Sequence, residues 1–191
     1  MKIALYPGSF NPVHNGHIQL ARSVVEQHLA DEVWLVISPH NPLKESALLQ
    51  DEVHREAMIC LALEGEKGLF ASTVEFTMPR PSYTIDTIRE LQRMNPGDQY
   101  VLMIGSDNAL IFNQWKEYQE LLSIVEVYVY PRRGFSVSEA LALYPKMRAL
   151  NTPYYDISST QLREWIRQGV DTSDWLHPDV QEYISVNHLY L

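Results

Sequence analysis

Lys2-Ile3-Ala4-Leu5-Tyr6, then Pro7-Gly8-Ser9-Phe10-Asn11-Pro12-Val13-His14-Asn15-Gly16-His17, then an amphipathic run to Leu29, read as a buried strand, a tight loop and a helix. A helix start offers unpaired backbone N–H groups and roughly half a positive charge, which suits phosphate. The first strand–loop–helix of an open α/β sheet is also a usual seat for a nucleotide. His14 and His17, three residues apart, can face one crevice and add donors there. The stretch therefore predicts a loop that grips the triphosphate of a nucleotide.

Working outward, strand and helix patterns alternate almost to the end of the chain. Ile18, Ala21, Val25 and Leu29 recur at helical spacing, and residues 32–37 form an unbroken apolar strand of the kind covered on both faces. Helices are expected over 49–63 and 83–94, with strands over 69–74 and 99–104; the loop at 78–82 is set by Pro79 and Pro81. Asn95-Pro96-Gly97-Asp98 is a strong breaker. After the second strand-end loop, Gly105-Ser106-Asp107, come a helical segment containing Trp115, a strand over 124–130, a helix over 136–149 and an extended piece at 153–156. Ser158 and Gln161 have the spacing of a capping box that starts the next helix, and a last helix covers 178–186. This order predicts an α/β fold, a doubly wound, mostly parallel sheet with helices on both faces. We expect one domain over 1–191 with a helical segment from about 157. Right-handed crossovers put the ends of strands one and four on the same edge of the sheet, gathering 8–17, 105–107 and 158–163 around one cleft.

The bulk properties narrow the partners. With 191 residues, 46% hydrophobic and 20% charged, the chain has ordinary globular values. A net charge of −9 argues against nucleic-acid or anionic-membrane binding, so any hold on phosphate is local: His14, His17, Lys44, Arg132, Arg133, Arg163 and backbone amides. Cys60, the single cysteine, excludes an internal disulfide; between Ile59 and Leu61 it reads as core filler. No secretory leader and no apolar stretch near the ~20 residues of a membrane span are visible, so a cytoplasmic location is expected. The Gly-x4-Gly-Lys-Ser/Thr of a P-loop and the Gly-x-Gly-x-x-Gly of a dinucleotide-binding strand–turn–helix are both absent.

Four motifs in order carry a family resemblance. Gly-Ser-Phe-x-Pro-x-His-x-Gly-His at 8–17 and Ile-Ser-Ser-Thr-x-x-Arg at 157–163 resemble the nucleotidyltransferase superfamily. Pro81-Ser82-Tyr83-Thr84-Ile85-Asp86-Thr87, with Gly105-Ser106-Asp107 followed by Trp115, makes the chain most similar to the bacterial nicotinate mononucleotide adenylyltransferases. The resemblance implies a Rossmann-like nucleotidyltransferase fold. It implies transfer of AMP from ATP to nicotinate mononucleotide, giving nicotinate adenine dinucleotide and pyrophosphate in NAD synthesis. It also implies that Gly8, Ser9 and Phe10 lie against ATP, with Gly16 allowing close approach and His14 and His17 on the phosphates. Ile157, Ser158, Ser159, Thr160 and Arg163 match the second nucleotide segment, and Lys44 a phosphate-contacting base. Tyr83, Thr84 and Trp115 match the pocket for the pyridine ring and its carboxylate, and Gly105 and Asp107 a ribose-binding turn. The family usually opens its first loop Gly-Gly-Thr-Phe-Asp-Pro, where this chain has Pro7-Gly8-Ser9-Phe10-Asn11-Pro12. The segment carrying Lys44 is also shorter than usual. A Pro-Gly opening is similar to phosphopantetheine adenylyltransferases, but those have threonine where this chain has His14.

The chemistry fits such a donor set. A 5′-phosphate nucleophile is already ionised at neutral pH, so the difficulty is bringing an anion to an anionic α-phosphate; alignment and charge neutralisation answer it. Mg²⁺ is expected to arrive with ATP, held by phosphates and water, and no protein metal site is expected. The plainer readings are a surface pair for the histidines, a core tryptophan at 115, a helix cap at Asp107 and a solvated Arg132-Arg133 pair. A transferase preferring nicotinamide mononucleotide and a silent nucleotide-binding regulator are the alternatives, and oligomeric state is left open.

Overall fold

The computed structural model describes residues 1–39 and 49–191. Six strands, β1 (Lys2–Gly8), β2 (Glu32–Ile37), β3 (Leu69–Ser72), β4 (Gln99–Gly105), β5 (Glu126–Tyr130) and β6 (Arg148–Ala149), lie in the order β3-β2-β1-β4-β5-β6. Every pairing between them is parallel. Parallel neighbours need crossover connections. Among the described residues these carry α1 (Asn15–Glu26), α2 (Glu52–Ala62), α3 (Thr84–Met94), α4 (Ser106–Leu110), α5 (Tyr118–Ile124) and α6 (Val137–Leu143). Two more helices, α7 (Ser159–Arg167) and α8 (Pro178–Val186), follow the last strand.

The two-residue period of the strands divides the core. On β1, Ala4 and Tyr6 pack with α1, α2, α7 and α8, while Ile3 and Leu5 pack with α3 to α6. On β4, Val101 and Met103 take the first side, Leu102 and Ile104 the second. Both faces are therefore covered, which is why the strands read as continuous apolar runs. Each fully buried Leu or Ile contributes about 1.5–3 kcal/mol by leaving water. The strand order reverses between β1 and β4, and a crevice opens at their carboxyl ends, the position where open α/β sheets take ligands.

Several expectations need correction. The helix read over 136–149 stops at Leu143, and Arg148–Ala149 becomes the sixth strand. Pro145 explains this: the residue before a proline is driven out of the helical region, and Tyr144 has φ −131° and ψ 81°. Trp115 is not helical; it follows a 3₁₀ turn, Phe112–Gln114, in extended backbone at φ −77° and ψ 143°. Val74 starts a 3₁₀ turn, Val74–Thr77, instead of ending β3, and Ile124 closes α5 instead of opening β5. The first helix ends at Glu26, short of Leu29, with His28 in left-handed backbone at φ 54°. Cys60 is exposed, not core filler. The buried stripe of α2 is Arg55, Met58, Ile59 and Ala62, and the residue after Ile59 is turned out of it. Among the described residues no helix is long and apolar enough to cross a membrane.

Candidate active site

The loop after β1 is fixed from several sides. Phe10 adopts φ 46°, uncommon for a residue with a side chain, and its ring is buried edge-on against Tyr6 at 5.5 Å and His17 at 5.1 Å. The Asn11 carbonyl accepts from Arg163 Nη1 at 2.8 Å, and its side-chain oxygen accepts from the Tyr190 hydroxyl at 2.9 Å and the Gln50 amide at 3.1 Å. Ser159 Oγ donates to the Pro12 carbonyl at 2.9 Å. Ser158 caps α7 as its spacing predicts, accepting the Gln161 amide at 3.2 Å. The phosphate-type loop and the 157–163 segment are thus one assembly, although nearly 150 residues separate them. Gly16 lies where they meet: a Cβ there would stand 3.0 Å from Ile157 Cγ2 and 3.1 Å from His14 Nδ1.

Two adjoining cavities open at the carboxyl rim. The larger, of about 720 Å³, brings together the predicted Gly8, Ser9, Phe10, His14 and His17 with Ile157, Ser158, Ser159, Thr160, Arg163 and Asp107. The smaller, of about 290 Å³, brings together Tyr83, Thr84, Gly105 and Trp115. Pro7, Gly8, Asn108 and Tyr130 line both, so the cavities share a wall at the switch point. Gly16 supports the first cavity from beneath and is not part of its lining. Lys44 lies outside the described residues.

The polar atoms of these cavities are arranged for something other than one another. Seven buried side-chain N and O atoms lack a hydrogen-bond partner among the described residues: both His14 nitrogens, Asp107 Oδ1, Arg132 Nε, Arg163 Nε, Trp115 Nε1 and Thr152 Oγ1. All but the last belong to residues that line the two cavities. Buried polar groups are ordinarily paired, so such a cluster marks where a polar ligand completes the set. The His14 imidazole is held neutral, its pKa lowered to about 3 by burial first and by the nearby Arg132 guanidinium second. His17 plays a different part: its Nδ1 accepts the His14 amide at 3.2 Å at the start of α1. The His17 amide turns back onto the His14 carbonyl at 2.8 Å. Among the described residues no group of three or more His, Cys, Asp or Glu side chains is placed to hold a metal ion.

Residues outside the four motifs also reach the site. Arg132, one of the pair after β5, lies over the Tyr130 ring at 5.3 Å with its Nε 4.0 Å from Asp107 Oδ1, whereas Arg133, exposed at the rim of the larger cavity, pairs with Asp156 at 3.3 Å. Its position at a strand's carboxyl end was the available signal. Arg55 lies buried behind the lining and Glu75 is buried in the wall of the smaller cavity, with no motif to announce either.

A parallel sheet with a cation-rich, glycine-walled crevice at its switch point defines a nucleotide-binding α/β protein of the nucleotidyltransferase kind. The chain belongs to the cytidylyltransferase-like family, whose model matches residues 5–165, and within it to the nicotinate-nucleotide adenylyltransferases. It is 37% identical to a Flavobacterium johnsoniae protein named "Probable nicotinate-nucleotide adenylyltransferase", over 100% of this chain and 99% of the relative. A Bacteroides fragilis protein of the same name is 41% identical over 96% of this chain and 90% of its own. In three dimensions the chain is similar to Plasmodium falciparum nicotinic acid mononucleotide adenylyltransferase complexed with NaAD. The TM-score is 0.85 and the identity 23%, over 99% of this chain and 97% of the other. At that identity the likeness speaks for the fold, and it agrees with the doubly wound sheet read from the sequence.

Proposed function

We propose that this chain transfers AMP from ATP to nicotinate mononucleotide, releasing pyrophosphate and forming nicotinate adenine dinucleotide for NAD synthesis. The observation that carries the proposal is the cluster of buried polar groups, donors and acceptors without a hydrogen-bond partner among the described residues, around two cavities with a common wall. Its relatives' names give the reaction. In this reading ATP occupies the larger cavity, its phosphates at His14, His17 and Arg163 and its adenosine against Gly8, Ser9, Phe10 and 157–160. The acceptor's ring lies by Tyr83, Thr84 and Trp115, with Gly105 and Asp107 at its ribose. A 5′-phosphate oxygen of the acceptor attacks the α-phosphorus, a new O–P bond forms, and the bond to the β-phosphate breaks. The nucleophile is ionised before it arrives, so no side chain has to remove a proton. His14, neutral before ATP binds, offers an N–H to phosphate oxygen, and the guanidinium groups answer charge that shifts toward pyrophosphate. Mg²⁺ enters as the ATP complex, held by phosphate oxygens and water. The whole chain, 1–191, acts as one domain in this scheme, in the cytoplasm and without a nucleic-acid or membrane partner.

The test is direct. The purified chain is incubated with ATP, Mg²⁺ and either nicotinate or nicotinamide mononucleotide, and dinucleotide and pyrophosphate are quantified. Dinucleotide and pyrophosphate in equal amounts, formed faster with the nicotinate form, is the expected result. Faster turnover of the nicotinamide form would reassign the acceptor, and no turnover with either would remove the reaction.

A further inference from the structure

The turn that carries Arg132 is gripped from the core side by one hydroxyl. Residues 132–135 follow β5 as a tight turn: Arg132 and Phe135 pair as an antiparallel bridge, the Phe135 amide donates to the Arg132 carbonyl at 3.2 Å, and Gly134 takes φ 79°. Arg133, Gly134 and Phe135 are exposed. The outward tie of the turn, Arg133 to Asp156 at 3.3 Å, joins two largely exposed side chains and is weak for that reason. The inward tie is of another kind. Ser106, the middle residue of Gly105-Ser106-Asp107 and the first of α4, is 0% exposed. Its Oγ accepts the Arg132 amide at 2.9 Å and donates to the Phe135 carbonyl at 2.9 Å, so a single side chain holds both ends of the turn. Of the two cavities Ser106 lines neither.

A buried hydroxyl is costly when left unpaired. Here it both donates and accepts, on backbone that leads straight to a side chain of the site. From the clamped amide, the Arg132 side chain lies over the Tyr130 ring, with Nη2 3.5 Å from the Tyr130 hydroxyl and Nε 4.0 Å from Asp107 Oδ1. Neither that Nε nor that Oδ1 has a hydrogen-bond partner among the described residues, and Arg132 lines the larger cavity together with His14. A guanidinium meets phosphate through donors fixed in a planar fork, so its direction matters as much as its charge. A small swing of the turn would spoil that alignment, and misalignment of this kind costs rate. We infer that Ser106 is a positioning residue, fixing the turn after β5 so that Arg132 meets the phosphates in the larger cavity. This rests on the placement of ATP in the reading given above.

The test is a double-mutant cycle of Ser106→Ala and Arg132→Ala on the full chain, with kcat, both KM values and the melting temperature measured for every member. Both contacts of the Ser106 hydroxyl are to backbone atoms, which Arg132→Ala keeps. A merely structural loss would therefore appear in both backgrounds, whereas a loss routed through the guanidinium appears only where the guanidinium is present. Arg132→Ala is expected to lower kcat by about 10²-fold and Ser106→Ala by about tenfold, each KM staying within about threefold. In the Arg132→Ala background, Ser106→Ala is expected to change kcat by less than about twofold while lowering the melting temperature as much as it does in the wild type. Losses in kcat that multiply would overturn the inference, as would normal turnover in either single variant or losses confined to KM. Should Ser106→Ala not fold, Ser106→Cys takes its place under the same criteria, being close in size with a weaker hydrogen-bonding group. Failure of the wild-type chain to form dinucleotide would fall on the functional reading; wild-type turnover with multiplying losses would fall on this inference alone.

Discussion

The rings of His14 and His17 stack with centroids 3.6 Å apart and 25° between their planes, yet the two side chains do different work. His17 accepts the His14 amide and so closes the corner between loop and α1, while both His14 side-chain nitrogens lack a hydrogen-bond partner among the described residues and line the cleft. Substituting His14 by Asn should therefore lower kcat/KM by about 10²-fold, the scale of a lost transition-state donor, with little change in melting temperature. His17→Asn should lower both, because the helix start loses an acceptor as well. Steady-state kinetics with thermal melts on the same preparations separate the two outcomes.

The neutrality of His14 gives a pH signature whose sign is fixed. Folded, the ring takes up a proton only near pH 3, against an ordinary 6.5. Between those values the unfolded chain holds the extra proton, so this group makes stability fall as pH drops through that window. A bound triphosphate favours imidazolium and raises the pKa, so binding takes up protons and tightens as pH falls from about 7.5 to about 6. Calorimetric titration of a non-hydrolysable ATP analogue in buffers of different ionisation enthalpy should show that uptake. His14→Asn should reduce it, and equal uptake in both proteins would place the proton on another group.

Gly105 ends β4 where the Asp107 and Arg132 side chains close over the backbone. A Cβ there would collide with Asp107 Oδ1 and stand 2.8 Å from Arg132 Cγ. Gly105→Ala must displace one or both side chains, and both line the larger cavity. We expect a loss of about tenfold or more in kcat/KM, of the size caused by a misplaced contact. Gly97→Ala, where a Cβ meets nothing within 4 Å, is the control and should turn over normally.

How far the sequence could be read depended on whether a feature was local. The loop after β1, the cap at Ser158 and the apolar strands each announce themselves within a few residues, and the structure has them where the pattern put them. Arg55 shows the opposite case. In sequence it is one charged residue on an amphipathic helix, and only the packed chain reveals that the carbonyls of Ser9, Ser38 and Pro39 converge on it. Glu75 is equally silent until Ser82 and Thr87 fold against it. β6 was missed because two residues carry no period, even though Pro145 already forbade the helix read through them. Arg132 and Arg133 are indistinguishable by type, and only the Tyr130 ring and Asp107 decide which one turns inward.

Trp115 separates acceptor from donor recognition. Of the two cavities it lines the smaller, its ring tilted 36° to Phe112 at 5.0 Å, with Nε1 buried and without a hydrogen-bond partner among the described residues. An indole held from behind by a core phenylalanine can present a face or edge to a pyridine ring, an interaction of about 0.5–1.5 kcal/mol beyond area burial. Trp115→Phe keeps an aromatic ring but loses the indole N–H, and should raise the acceptor KM several-fold. Trp115→Ala also opens the cavity and should raise it by about tenfold or more, the loss of a large buried aromatic contact. In neither case should the KM for ATP move beyond about twofold, because the larger cavity does not include this side chain. Full initial-rate surfaces in both substrates decide the matter. A parallel rise in both constants would mean that Trp115 supports the common wall instead of the acceptor ring.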